Sequence, residues 1–373
     1  VDFSFTEEQE AVRDLAAQIF ERAVPPERVK EVEATADRFD RELWGALADA
    51  GLLGIALPAE HGGSGLGLVE VCLLLEQQGR VVAPVPLWPT LTAAGAVADH
   101  GSAAQRERWL PGVVAGGTVL TVALEEPGSN DPARSSVEAR PAGDGWTLHG
   151  AKPSVPAAHL AAAVLVPART PDGTVALFVA DPSGPDVNRH PGEGTDRQIL
   201  SELVLSGAPA EPLGGAVAGP DVLTDVVARA TVALCAVQVG VAEAAVAQAA
   251  AYTSQRHQFG RPLSSFQGTA LKAADASIDT EAMRVTLWQA VWRLTTGRPA
   301  ASEVLVAKWW ASEAGQRVVH ATQHMHGGMG ADVDYPIHRY FLWGKQIENT
   351  LGGASATLAR LGRALTAGTG GAV

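Results

Sequence analysis

The sequence predicts a multidomain α+β chain in which a strand-rich segment separates two helical ones. Two observations carry this expectation. Apolar residues recur at helical spacing through the first third and again from about Val222. Between them, from about Thr118, short apolar runs alternate with Gly, Pro and Asp turns. The expected divisions are 1–117, 118–218 and 219–373. A length of 373 residues leaves room for about two or three domains. A hydrophobic fraction of 46% with 18% charged residues can bury a large core and excludes a mainly disordered chain.

Thr6 and Gln9 form a capping-box pattern, and Val12, Leu15, Ala16, Ile19 and Phe20 give the helix they open one apolar stripe. Trp44, Leu47 and Ala48 mark a second helix, stopped by Gly51. The Gly62–Gly65 stretch reads as a loop, and Val69, Cys72, Leu73 and Glu76 as a helix running to Gly79. The tract Pro84–Pro89 reads as a connector, because proline breaks helix interiors. A further helical stretch is expected up to about Pro111. Strands are expected at Val119–Leu124, Trp146–Leu148, Val164–Val166, Val175–Val179 and Leu203–Leu205. Val222–Ser254 reads as one long Ala/Val-rich helix buried on several sides. A turn at Phe259–Pro262, helices at Phe266–Thr295 and Ala301–His324, a glycine turn at Gly327–Gly330 and short final helices follow. The tail Ala367–Val373 is expected to fray.

Composition narrows the function. There are 28 Lys+Arg against 41 Asp+Glu, a net charge of −13. Neutralising phosphates needs clustered cations, so a nucleic-acid partner is not expected. No apolar run reads as a membrane span of about 20 residues. The acidic opening lacks the form of a signal peptide, and a cytoplasmic chain is expected. Cys72 and Cys235 read as buried thiols. His324 and His326, two residues apart, face different ways on a helix and lack further ligands at familiar spacing, so no metal is expected.

Three segments carry a chemical signal. Arg256-His257-Gln258-Phe259-Gly260-Arg261-Pro262, followed by Phe266-Gln267, places a fixed cation and two flat rings at the end of a long helix. That set suits a pyrophosphate and a ring system. It equally suits a basic helix cap with core aromatics. His324-Met325-His326-Gly327-Gly328-Met329-Gly330 allows close backbone approach to a ligand. Glu125–Asp131 is a turn by composition.

In this order, on a chain of this length, the segments resemble the acyl-CoA dehydrogenase family. Asp2–Gln9 and Gly51–Gly63 look like that family's N-terminal domain, and the resemblance covers essentially the whole chain. Leu148–Val166 and Ile337–Glu348 look most like actinobacterial members, including those acting on steroid side-chain thioesters. The resemblance implies an N-terminal helical domain, a middle β-barrel or sandwich and a C-terminal four-helix bundle. It implies FAD, an acyl-CoA substrate, electron-transfer flavoprotein as acceptor and a tetramer. It assigns cofactor contacts to Arg256, Gln258, Phe259, Phe266, Gln267, His324, Gly327 and Gly328. In the family a carboxylate removes the α-proton and the β-hydrogen leaves as hydride to the flavin.

The departures from the family pattern are specific. Counted from Gly327, the usual base position falls on Leu351; counted back from Arg256, the alternative position falls on Ala230. Neither residue accepts a proton. Thr231 stands where an Arg is frequent, and His324 where a Gln is usual. Ser154-Val155-Pro156 replaces a Trp-x-Thr element beside the flavin ring, and Glu125 replaces a Thr. A base-lacking subunit of a heterotetramer is therefore expected. The alternatives are a self-sufficient enzyme with a displaced base and a non-catalytic acyl-CoA-binding or scaffolding chain. Glu348, one turn before Leu351, is the main candidate for a displaced base, with Glu125 and Glu243 weaker; pairing of Glu348 with Lys345 is the competing expectation. Trp288, Trp292, Trp309, Trp310, Tyr340, Phe341 and Trp343 outnumber what one helical layer needs, and some are expected to face another subunit.

Overall fold

The computed structural model describes residues 4–129 and 131–366. Val1–Phe3, Asn130 and the tail expected to fray lie outside them. Thr6 and Gln9 close the expected capping box at the start of α1 (Glu7–Ala23). Ala16 and Phe20 are buried there, but Leu15 is exposed, so the apolar stripe is narrower than its sequence pattern. After α2 (Pro26–Glu33), the Asp40 carboxylate accepts from the Leu43 amide and caps α3 (Arg41–Asp49). Gly51, at φ +74°, ends that helix.

Then come α4 (Leu68–Val81), α5 (Leu87–His100) and α6 (Ala103–Val114). The Pro84–Pro89 tract is only partly a connector, because α5 already contains Pro89. As its third residue, Pro89 occupies a turn whose amides have no intrahelical partner. Pro111 likewise lies inside α6 and does not end it.

The middle segment holds β1 (Val119–Val122), β2 (Glu138–Ala142), β3 (Gly145–Pro156), β4 (Ala161–Arg169), β5 (Val175–Ala180), β6 (Val187–Glu193) and β7 (Ile199–Pro212). Strand β4 pairs with β2, β2 with β3, β3 with β7, β7 with β5, and β5 again with β4. Five strands thus close into a barrel, which removes their free edges. Strand β1 joins β4 in parallel and β6 joins β7. The core of the barrel includes Val137, Leu148, Val166, Phe178, Leu203 and Leu205. Strands β2 and β6 were not expected from the sequence. Strand β2 buries only Ala139 and β6 is largely polar and exposed, so the ladder holds them without an apolar pattern.

The last segment comprises α7 (Pro220–Gln255), the two-residue strands β8 (His257–Gln258) and β9 (Arg261–Pro262), α8 (Gln267–Thr295), α9 (Ala301–Met325), α10 (Ile337–Asn349) and α11 (Ala354–Thr366). By length and composition α7 could cross a bilayer. However, 83% of its apolar window is buried inside the fold, and a core position accounts for the apolarity. Cys72 and Cys235 are buried thiols, neither in a disulfide. Burial pushes the Cys235 thiol up to about 12, so it is inert.

Internal contacts divide the chain into two units. One takes the chain through Val29, Cys72–Ala83 and the part from Thr231 onward; the other takes Lys30–Val71 and Pro84–Ala230. Within the first unit, α4 and α7 cross at two glycines. A Cβ on Gly79 would lie 2.1 Å from the Val237 carbonyl oxygen, and one on Gly240 would lie 2.0 Å from that of Glu76. Only glycine allows backbones this close. Charges knit the same crossing. Arg80 bonds Glu243 at 2.6 Å, and Arg284 bonds Glu76 at 3.2 Å and Glu243 at 3.1 Å.

Candidate functional site

Helix α7 ends in a tight hairpin. The Arg256 amide donates to the Tyr252 carbonyl and Arg256's own carbonyl accepts from the Leu263 amide, both at 2.8 Å. Phe259 (φ +54°) and Gly260 (φ +79°) form the turn between β8 and β9. Two successive positive φ values mark the turn type that suits hairpins, and a bulky residue there is strained. The Phe259 ring is 92% exposed. It meets the Phe266 ring edge-on at 6.2 Å, and the Arg261 guanidinium lies 4.1 Å over Phe266. Arg256, Gln258, Phe259, Phe266 and Gln267 are therefore brought together, all but Phe266 exposed.

The second segment is tied to the same helix end. The His326 Nδ1 donates to the Thr322 carbonyl at 2.7 Å, which fixes the neutral tautomer. The ring stacks on Tyr252 at 4.6 Å and lies 5.4 Å from Tyr335. Burial lowers the His326 pKa, partly offset by the Thr322 hydrogen bond. His324, by contrast, is exposed, so the two histidines diverge. Gly327 and Gly328 follow, and an added Cβ on either would meet nothing within 4 Å. Their backbone is open for another molecule to approach. Sequence reasoning missed Tyr252 and Tyr335 as the joints of this arrangement, because stacking across that sequence distance leaves no local pattern.

The expected base positions hold no acid. Leu351 is buried at φ +58°, an uncommon conformation for a non-glycine residue. Beneath it the buried Lys308 ammonium caps the end of α10. It donates to the Ile347 carbonyl at 2.9 Å, the Glu348 carbonyl at 3.2 Å and the Ser312 hydroxyl at 2.9 Å. A cation there complements the helix dipole. The Glu348 carboxylate is paired with Lys345. Ala230 is fully buried. Burial alone would raise the Glu243 pKa, but hydrogen bonds and charge from Arg80 and Arg284 outweigh it and hold the carboxyl below its usual range. Glu76 behaves oppositely, because burial pushes it up to about 7 despite Arg284.

In the other unit, Glu126 and Lys152 form a fully buried ion pair. The Glu126 carboxylate also accepts from the Ser136 amide and hydroxyl, each at 3.0 Å. The β3–β7 register shifts between Lys152 and Val155, and Ser154 and Pro156 are half-buried on the strand. Glu125, next to the buried pair, is also half-buried.

These residues fit one half of FAD. Arg256 offers a fixed cation, Phe259 an uncovered ring and Gly327–Gly328 an open backbone, which suit a pyrophosphate and an adenosine. The positions that the resemblance sets beside the flavin ring do not fit it. Ser154 has no ring to flank a flavin, Pro156 has neither N–H nor hydroxyl to donate, and Glu125 adds a negative charge where a neutral donor is usual.

The fold and both segments define a class, the flavin-dependent acyl-CoA oxidoreductases, and the comparisons give the family. The model of the acyl-CoA dehydrogenase N-terminal domain matches residues 6–117 and that of the C-terminal domain residues 218–364. Acyl-CoA dehydrogenase FadE27 of Mycobacterium tuberculosis is 38% identical over 98% of this chain and 99% of its own length. A solved steroid acyl-CoA dehydrogenase, Tcur3481-Tcur3483, matches with TM-score 0.93 and 52% identity, over 97% of this chain and 98% of that one. The ChsE4-ChsE5 complex from Mycobacterium tuberculosis matches with TM-score 0.92 and 38% identity, over 98% and 99%. The chain belongs to the acyl-CoA dehydrogenase family, whose members are FAD-dependent oxidoreductases, and its fold of helical, β and helical domains is that family's.

Proposed function

We propose that this chain is the base-lacking subunit of a hetero-oligomeric, α2β2 acyl-CoA dehydrogenase. One observation carries the proposal. The usual base positions are Leu351 and Ala230, while Glu348 and Glu243 are held by Lys345 and by two arginines. Removing an α-proton from a thioester needs a free carboxylate of raised pKa. None of these four residues supplies one.

The chain's contribution lies in the exposed hairpin. Arg256 neutralises pyrophosphate charge, Phe259 covers the adenosine side, and Gln258, Phe266, Gln267 and His324 surround them on a cofactor held mainly by the partner. Gly327–Gly328 lets backbone approach the same group. Bound FAD supplies the two-electron acceptor for α,β-dehydrogenation of the acyl-CoA. The proton-accepting carboxylate is the partner's, and electrons pass on to an electron-transfer flavoprotein. The pairings in the titles of Tcur3481-Tcur3483 and ChsE4-ChsE5 support a two-chain enzyme, and the former's description supports a steroid-bearing acyl group. The domain divisions proposed are 1–117, 118–218 and 219–373, in a cytoplasmic protein.

Purifying the chain alone tests this. A colourless or low-order species that becomes yellow and active only with a co-expressed homologue is the expected result. A yellow homotetramer with one FAD per chain would sink the proposal. Glu348→Gln would then be the next variant, since Glu348 stands one turn from Leu351. A complex that stays colourless and inactive with every homologue would leave the scaffolding role instead.

A further inference from the structure

Of the seven aromatic residues expected partly at an interface, Tyr340 and Trp343 are buried and the other five half-buried. The ring cluster that bears on the site contains none of them. Tyr252, near the end of α7, His326, just after α9, and Tyr335, just before α10, meet there. Tyr252 and His326 stack at 4.6 Å with their planes 26° apart. Tyr335 closes the set, 6.3 Å from Tyr252 and 5.4 Å from His326.

Each ring stands at a joint of the backbone. The Tyr252 carbonyl accepts from the Arg256 amide at 2.8 Å, where the hairpin begins. His326 caps α9 and directly precedes Gly327–Gly328. The Tyr335 amide donates to the Asp332 carbonyl at 3.1 Å, and the Tyr335 carbonyl accepts from the His338 Nδ1 at 2.7 Å. The glycine turn is held down on α9. The Gln323 side-chain amide donates to the Gly330 carbonyl, and a Cβ on Gly330 would lie 2.5 Å from the Gln323 carbonyl oxygen. Arg256–Arg261 of the hairpin are all exposed, so little side-chain burial orients it.

The residue type at 326 is informative. His326 is 2% exposed, and its buried Nε2 has no hydrogen-bond partner among the described residues. With the rings in place no ligand reaches that atom, so His326 acts through the turn that it anchors. An unpaired buried nitrogen is costly, and phenylalanine would avoid it if stacking were the whole role. Phenylalanine cannot donate to Thr322, however, and glutamine could donate but offers no ring. Histidine does both. Its Nδ1–H fixes it to α9, and its face meets Tyr252 of α7.

We propose that His326 is a positioning residue: stacked on Tyr252 and tied to Thr322, it sets the spacing between the hairpin after α7 and the Gly327–Gly328 backbone. That these two segments hold the pyrophosphate and adenosine of FAD rests on the function proposed above; the joint itself does not. Residues that touch no ligand decide in this way how well a site is preorganised.

The test is hydrogen exchange on the full chain, with flavin content of the co-expressed complex read in parallel. His326→Phe keeps a ring and loses the donor; His326→Gln keeps a donor and loses the ring. Either should speed exchange of the Arg256 and Leu263 amides, both bonded in the hairpin, by about threefold to tenfold. Amides of α7 around Gly240 serve as the reference and should not change. Tyr252→Phe keeps the stack and should match the unmodified chain, whereas Tyr252→Leu should behave as the His326 variants do. The complex should retain less flavin with His326→Phe, His326→Gln and Tyr252→Leu, and its full content with Tyr252→Phe. Faster hairpin exchange with undiminished flavin would uphold the joint and remove the hairpin from the cofactor contacts. Unchanged exchange in both His326 variants, or a rise shared equally by the Gly240 region, would overturn the joint.

Discussion

Lys152→Met should destabilise the barrel-containing unit by about 3–5 kcal/mol, the usual cost of stranding one buried charge. Both partners of the Lys152–Glu126 pair are out of water. One Glu126 oxygen is already satisfied by Ser136; the other faces the ammonium. Methionine nearly matches the lysine in shape, so a cavity contributes little and the lost charge dominates. Burial has already brought the Lys152 pKa down to about 8, with Glu126 opposing, so the pair sits near the limit of what its surroundings tolerate. Thermal and urea unfolding would read the loss. At about 2–4 °C per kcal/mol for a domain of this size, the midpoint should drop by roughly 10 °C. Lys152→Met/Glu126→Gln should recover most of it, since glutamine keeps an acceptor for Ser136 without a charge. A single-variant loss below about 1 kcal/mol, or a double variant no better than the single, would refute the assignment of an uncompensated buried carboxylate.

Gly240→Ala gains up to about 1 kcal/mol of helix propensity but forces α4 and α7 apart, so a net loss of about 2 kcal/mol is expected by denaturant titration. Gly45→Ala in α3, where a Cβ meets nothing within 4 Å, should instead stabilise. Glu76 binds its proton more tightly folded than unfolded, so its contribution is complete below about pH 4.5 and is lost as pH rises through about 7. Glu76→Gln should therefore flatten the fall in melting temperature across that window; an unchanged slope would contradict the buried acid. Phe259→Asn relieves a strained turn and should stabilise the isolated chain by up to about 1 kcal/mol, yet reduce the flavin retained by the co-expressed complex. Equal flavin content would remove Phe259 from the cofactor contacts.

Features with a local cause were legible in the sequence. The Thr6–Gln9 box, the length of α7 and the turn at Phe259–Gly260 each follow from neighbours within a few residues. Prolines misled where position mattered more than identity, since Pro89 sits in a first turn that asks nothing of its amide. Strands β2 and β6 were invisible because pairing holds them with little apolar burial, Ala139 alone of β2 reaching the core. At the site, the Arg256–Gln267 segment stood out in the sequence, and the family resemblance, not spacing, assigned its cofactor contacts. The Tyr252–His326–Tyr335 stack, the burial of Lys152 and Lys308 and the arginines around Glu243 could not, because each partner comes from a distant part of the chain.

The exposed Phe259, with Leu271, Ile278 and Val285 exposed along α8, also bears on how much of this chain a cell can hold. A subunit made in excess of its partner keeps this apolar face in water, where chaperones and proteases recognise such surfaces. If the chain is the dependent subunit proposed above, its steady-state amount is then set by the supply of the other chain, and balanced production of the two polypeptides becomes a requirement written into its exposed apolar side chains.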